Sequence, residues 1–286
     1  MNKYIDMFIK VLGERSKSEN TITAYKKDLE QLSIFLASKN IKDIKDVSVE
    51  SLKEYFAKLT NEGWTPKTIS RKLNSTKTFF RYLESINLID RNPAGMISHP
   101  KVENHPPRIL SEMEYRALRD AARSDKRTYI IIEILLQTGI RIGELCRIKM
   151  KELDLDSRDP SLLISEYGSN MSRSIPLNKI SVEMFKEYLE IRPKISNSDN
   201  LFITKNGNPL LIRNVRSSID NVFKKAGIEN AKVNDLRNTF IAHHLSRGTN
   251  IFILSKIIGH KRISTTEKYI GKINIDLERI TPLPSL

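Results

Sequence analysis

Arg141, Arg237, His260 and Tyr269 have side chains suited to phosphate chemistry, and each stands in a distinctive local frame. Arg141 lies in Thr138-Gly139-Ile140-Arg141-Ile142-Gly143-Glu144-Leu145, Arg237 closes Asn234-Asp235-Leu236-Arg237, and His260 follows Gly259, with Tyr269 nine residues further on. Two guanidinium groups can grip a phosphate through paired hydrogen bonds while a phenol oxygen attacks the phosphorus. Together the four describe a site for breaking a phosphodiester without a metal. His243 and His244 are adjacent, so a helix turns them about 100° apart, and no Cys or Asp spacing completes a zinc site. No metal, nucleotide or other cofactor is expected.

These residues can converge only if the chain turns between them. Nine residues on one continuous helix rotate by about two and a half turns, which would set His260 and Tyr269 on opposite faces. The sequence supplies a break. Asn250 can cap a helix through Ile258, Gly259 suits its C-terminal cap, and Ser264-Thr265-Thr266-Glu267 reads as the capping box of a new helix. His260 is then expected in a turn and Tyr269 early on a separate helix. Arg141 follows a helix stop at Gly139, and Arg237 is expected in the first turn of a helix ending at Gly248. Helix starts favour bound anions.

The surrounding elements are mainly helical. In the first third, Ile22, Tyr25, Leu29, Leu32 and Phe35 recur at helical spacing, as do Leu52, Tyr55, Phe56 and Leu59, and then Ile69, Leu73, Thr76, Phe80 and Leu83. With Tyr4 to Leu12 these predict a four-helix bundle, its aromatic residues serving as core rather than as base-stacking platforms. Asn20 and Ser48 are candidate N-caps, and Thr65-Pro66 places proline at a first helical position. Asn92-Pro93-Ala94-Gly95 is expected to end the last bundle helix, and the proline-rich stretch His99 to Pro107 to run extended. The expected organisation is a helical domain over 1–98, a linker over 99–110 and a second domain over 111–286. That domain opens with a capping box at Ser111-Glu112-Met113-Glu114, and its central buried helix covers Tyr129 to Leu136. Leu162 to Ile164 and Ser174 to Leu177 read as short strands, and Val182 to Ile191 as a helix.

Composition points to a polyanion. The chain carries 48 Lys and Arg against 34 Asp and Glu, a formal charge of +14. The first 100 residues hold 17 basic and 12 acidic side chains, a balance of +5, leaving +9 for the remaining 186. An excess spread this way suits two domains that both touch one nucleic-acid backbone, although charge alone fits a ribosome-associated protein equally well. No apolar run approaches the roughly 20 residues that span a bilayer, and the N-terminus lacks the apolar core of a signal peptide. The single cysteine, Cys146, has no disulfide partner. These features predict a cytoplasmic protein away from membranes.

In their order and frames, Thr138 to Leu145, Leu236 to Leu245 and Ile258 to Tyr269 resemble the tyrosine recombinase (phage integrase) family. The bundle, proline linker and second domain resemble its Xer-like members from about Tyr4 to Gly271. The resemblance implies a mainly α fold: an N-terminal four-helix core-binding (SAM-like) domain, then a mostly helical catalytic domain with a small β-sheet. It implies Arg141 and Arg237 as phosphate ligands, His260 as the histidine of the motif, Tyr269 as the nucleophile, and Glu144 at a supporting acidic position. The arginines would favour the phenolate of Tyr269 and neutralise the crowded phosphate.

Two residues depart from the family pattern. The lysine usual in the strand turn before Arg173-Ser174-Ile175-Pro176-Leu177 is missing, since no lysine lies between Lys151 and Lys179, and the usual His or Lys three residues before the second arginine is Asn234. Asn234 can donate a hydrogen bond to phosphate, and it is also an ordinary N-cap. The work of the lost acid falls to His260, Arg173, Lys205 or water. The implied function is site-specific recombination through a 3′-phosphotyrosine, by a homotetramer on two DNA duplexes, for integration, excision or resolution of a mobile element such as a transposon cointegrate. The alternatives are a DNA-binding accessory protein of the same fold and a type IB topoisomerase. The apolar tail, with Ile273, Ile275, Leu277, Ile280 and Leu283, is expected to dock on a neighbouring protomer or on its own domain.

Overall fold

Helix-capping side chains and stripes of buried apolar residues set out two compact units, Met1–Asn104 and His105–Leu286. The computed structural model describes residues 1–14, 18–103, 106–168, 170–194 and 198–272. The tail segment with Ile273 to Leu283, expected to dock, lies outside the described residues.

The first unit contains α1 (Asn2–Glu14), α2 (Glu19–Ser38), α3 (Val49–Asn61) and α4 (Pro66–Ser85). Ser48 caps α3 with a reciprocal capping box, and Thr65 caps α4 ahead of Pro66. The cap of α2 is Ser18, not Asn20: its hydroxyl accepts the Thr21 N–H, and Asn20 is already helical. Leu29, Leu32, Leu52, Leu73, Phe79 and Phe80 are buried to the last few per cent. Phe35, Tyr55 and Phe56 join this core, which is the role their spacing predicts. A buried carboxylate ties α2 to α4: Asp28 takes Lys72 at 3.1 Å and the Ser75 hydroxyl at 3.2 Å, and it also pairs with Arg71. The last helix stops earlier than its proline signal. It ends at Ser85, and Asn87 is left-handed (φ 55°), a conformation asparagine tolerates. Asn92 caps a separate turn by accepting the Ala94 N–H, returning Ala94 and Ile97 to the core.

The second unit contains α5 (Glu112–Ala122), α6 (Lys126–Thr138), α7 (Ile142–Leu145), β1 (Leu153–Asp154), β2 (Ser161–Ile164), β3 (Arg173–Pro176), α8 (Lys179–Ile191), α9 (Ile212–Lys225), α10 (Val233–Ser246), α11 (Ile251–Ile258) and α12 (Ser264–Glu267). The strands form one antiparallel sheet in the order β1-β2-β3, with Leu162 opposite both Leu153 and Ile175. β1 and the amphipathic α9 are absent from the sequence-based expectations. As its unbroken apolar run requires, α6 is central and packs on α5, α8, α9 and α10. Its one buried acid, Glu133, is held by Arg119 from α5.

Candidate active site

Gly139 ends α6 in the left-handed conformation (φ 62°), and a Cβ there would stand 2.3 Å from the Phe240 ring of α10. Only glycine meets both demands. The close approach brings α10 against the α6–α7 turn, where Arg141 occupies the N-cap position of α7. Glu144, three residues on, accepts the Arg141 N–H at 2.8 Å and its guanidinium at 2.9 Å. The same carboxylate takes both Nη groups of Arg173, the first residue of β3, at 3.0 and 2.8 Å. Burial works to raise the Glu144 pKa, but these bonds and charges outweigh it and hold the carboxyl at about 2.

A third arginine joins through the end of α11. Arg173 Nε donates to the Ile257 carbonyl at 2.8 Å, Arg237 Nη2 to the Ile258 carbonyl at 2.6 Å, and Arg141 Nη2 to the Gly259 carbonyl at 3.3 Å. Three consecutive carbonyls at a helix C-terminus, where unpaired acceptors and the negative end of the dipole coincide, thus hold three guanidiniums. Arg237 also donates to the Gly139 carbonyl at 2.6 Å. It is only 4% exposed, and burial together with Arg141 pulls its pKa down to about 9, so it stays charged at neutral pH. Arg141 is the open member, its side chain 35% exposed. Arg237 is the fifth residue of α10 rather than part of its first turn. It therefore contributes a side chain and no helix-start N–H.

His260 follows α11 through the left-handed Gly259, whose absent Cβ leaves room for the Arg173 guanidinium at 3.0 Å. Its Nδ1 meets the Thr266 hydroxyl at 2.9 Å. Burial and the three arginines push the ring pKa down to about 4, so the imidazole is neutral at pH 7. The expected capping box at Ser264 does not form. Ile263 is the residue before α12, without a side-chain cap, Ser264 is already helical, and α12 lasts a single turn. Tyr269 consequently lies in the turn after α12 rather than early on that separate helix.

The Tyr269 hydroxyl is turned inward and donates to Asn238 Oδ1 at 2.8 Å. Asn238 directly follows Arg237, and its amide nitrogen is fixed by the Arg108 carbonyl and Asp235. The phenol lies close enough to Arg237 and Arg141 for both to lower its pKa, yet burial, aided by Asp235, prevails and leaves it above its ordinary value. The expected net bias toward phenolate is therefore reversed in the free protein. Asn234 is no cap: α10 starts at Val233 after Lys232, whose N–H is accepted by Asp235. The Asn234 amide donates instead to the same Asn238 oxygen at 3.2 Å. Asn238, Ser255 and Thr266 are the site-lining residues that sequence reasoning missed. The only available signal was the four-residue step from Asn234 to Asn238.

Of the groups considered for the missing lysine, Arg173 is committed to Glu144. Lys205 lines a cavity of about 400 Å³ with Asp125, Arg127, Tyr188 and Pro193, and no member of the arginine cluster lines it. In the β2–β3 connection Tyr167 and Asn170 exchange backbone hydrogen bonds, and the Arg147 guanidinium stacks 3.8 Å from the Tyr167 ring.

Residues 108–273 match the model of the phage integrase family, and residues 5–86 that of the phage integrase N-terminal SAM-like domain. The chain belongs to the phage integrase family. Tyrosine recombinase XerC of Staphylococcus carnosus (strain TM300) is 32% identical over 288 residues, covering 98% of this chain and 96% of the relative. XerC of Staphylococcus saprophyticus is 31% identical over 274 residues, covering 93% and 91%. This integrase-family member is thus a Xer-like tyrosine recombinase. Among solved structures, a lambda integrase dimer bound to a COC′ core site superposes with a TM-score of 0.76 at 16% identity, over 99% of each chain. The Tn1549 transposon integrase in complex with a circular intermediate DNA gives 0.75 at 22% identity, over 93% of this chain and 94% of that one. These two share its mostly helical fold.

Proposed function

We propose that this recombinase cuts and rejoins specific double-stranded DNA sites through Tyr269, with Arg141 and Arg237 as phosphate ligands, His260 as a third phosphate contact, and Glu144, Arg173 and Asn234 in support. The observation that carries the reading is the α11 C-terminus. It gathers three guanidiniums around a single carboxylate and leaves two positive charges uncompensated beside a tyrosine hydroxyl. Two charges match a pentacoordinate phosphorane, which is more negative than the diester from which it forms, so the cluster stabilises the transition state more than the ground state.

In the proposed step the Tyr269 hydroxyl exchanges Asn238 for the scissile phosphate and gives its proton to solvent water. The phenol oxygen then bonds to phosphorus as the P–O5′ bond breaks. A 3′-phosphotyrosine forms, and the departing 5′ oxygen takes up a proton. A 5′ hydroxyl from the partner strand attacks the same linkage in reverse, which conserves the bond energy. Phosphate bound among the arginines offsets the charge that holds His260 neutral, so DNA moves that ring toward its proton-donating state, while Tyr269 is held protonated by burial and not by the arginines. With Arg173 held by Glu144, and Lys205 lining a cavity that no arginine of the cluster lines, His260 and water remain to protonate the 5′ oxygen.

Two duplexes exchanging strands require four active subunits, and the lambda integrase tetramer on a Holliday junction, with a TM-score of 0.75, supports a homotetramer. The Tn1549 integrase fold and the two departures from the family pattern favour work on a mobile element, as integrase, excisionase or cointegrate resolvase. A DNA substrate and a lone buried thiol, raised by burial to about 11, fit a reducing cytoplasm. The test is a nicked suicide substrate built from DNA flanking the gene. The wild-type chain should form a covalent, protease-sensitive adduct on it, and Tyr269→Phe should form none. Binding without any adduct in the wild type would make the chain an accessory DNA-binding protein.

A further inference from the structure

Two buried hydroxyls stand behind His260. Ser255, on α11, and Thr266, on α12, are 6% and 0% exposed. Their oxygens are 2.6 Å apart, and Thr266 Oγ1 lies 2.9 Å from His260 Nδ1. Each hydroxyl carries one hydrogen, and a neutral imidazole carries one on either nitrogen. If Nδ1 held the proton and gave it to Thr266, one of the two hydroxyl hydrogens would have no acceptor among the described residues. The order Ser255 to Thr266 to Nδ1 uses both, and it leaves the imidazole proton on Nε2. Burial makes that order decisive, because no bulk water reaches Thr266 to accept a stray hydrogen.

We propose that Thr266, backed by Ser255, is a positioning residue that fixes His260 in the tautomer with its proton on Nε2, so the ring offers the phosphodiester a donor and never takes the Tyr269 proton. The inference rests on the recombinase reading above and specifies how its histidine works. A second observation supports it. The Thr266 carbonyl accepts the Tyr269 N–H at 3.1 Å, and the Ser255 carbonyl accepts the His260 N–H at 3.0 Å. One threonine therefore sets the histidine ring with its hydroxyl and the nucleophile's backbone with its carbonyl. Nε2 has no partner among the described residues and is the nitrogen left for a ligand. The surrounding Arg141, Arg173 and Arg237 disfavour a second proton on the ring, so in the free protein the tautomer is set by this relay.

The experiment uses the full chain with ¹⁵N-labelled histidine at neutral pH. Long-range proton–nitrogen correlation spectra are assigned through a His260→Gln variant. A protonated Nε2 with an unprotonated Nδ1 is expected for His260, and the opposite pattern overturns the proposal whatever the variants do. Thr266→Val should mix the two tautomers and slow single-turnover cleavage of the suicide substrate by about tenfold or more, with unchanged noncovalent DNA binding. Thr266→Ser should restore both the spectrum and most of the rate. A Thr266→Val protein that is folded, cleaves at the wild-type rate and keeps a single tautomer refutes the relay. Absence of an adduct from the wild type would instead refute the recombinase reading, while the spectrum would still report the tautomer.

Discussion

Glu144 is the residue on which the charge balance of the site turns. It is the one carboxylate bonded to two of three clustered guanidiniums, and its removal would leave buried positive charges facing one another. Glu144→Ala should lower the unfolding free energy by about 3–5 kcal/mol, read as a fall in urea midpoint with little change in slope. Acid should act in two stages. His260 has a folded pKa of about 4 against an ordinary 6.5, so the unfolded chain binds the proton more readily in that window, and stability falls as pH drops from about 6.5 to 4. Glu144, at about 2 against an ordinary 4.5, adds a second loss as pH falls from about 4.5 to 2. Urea unfolding at stepped pH checks both. His260→Gln should shrink the upper stage without abolishing it, because burial also holds His243 and His244 below their ordinary value.

At the scale of elements, two left-handed glycines position the machinery. Gly259 ends α11 so that its final carbonyls face the arginines, and Gly139 ends α6 so that Phe240 can lie on the turn. Gly139→Ala combines an unfavourable φ with a Cβ placed into the Phe240 ring. It should cost about 2–4 kcal/mol in stability and reduce cleavage as well, since the Gly139 carbonyl that holds Arg237 moves with the turn. Gly63→Ala, equally left-handed but with nothing within 4 Å of the added Cβ, is the control that isolates the backbone contribution. It should cost about 1 kcal/mol and leave cleavage intact. Equal losses at the two positions would show that the Phe240 contact is unimportant.

For the whole molecule, the charge excess in both halves of the sequence predicts affinity dominated by phosphate contacts. The observed binding constant should fall linearly with salt on logarithmic axes, with a slope of about −0.9 for each phosphate neutralised. A flat salt response would sink the DNA reading from charge. Docking of the apolar segment beyond Lys272 on a neighbouring protomer, one of its two expected sites, would make it part of assembly. Truncation there should weaken multi-protomer complexes on paired sites more than binding to one site, as seen in native gels. A truncated chain that assembles normally would assign the segment to its own domain.

Sequence alone determined the features whose causes are local: the stripes of the four-helix bundle, the caps at Ser48, Thr65, Ser111 and Asn250, and the stop-and-turn around Gly139 and Gly259. It also named the residues that the structure brings around the α11 C-terminus, because their flanking frames are short and distinctive. Where local signals misled, a neighbouring side chain reached the same backbone end first. Ser18 replaced Asn20 as a cap, and Asp235, accepting the Lys232 N–H, starts α10 at Val233, so that Asn234 is already helical. Only the tertiary structure decided how the site is wired. Arg237 meets Gly139 across 98 residues and Arg141 meets Gly259 across 118, and Tyr269 finds Asn238 from 31 residues away. Such partners follow from how helices pack, and burial, the property that raises Tyr269 against its arginines, exists only once that packing is complete.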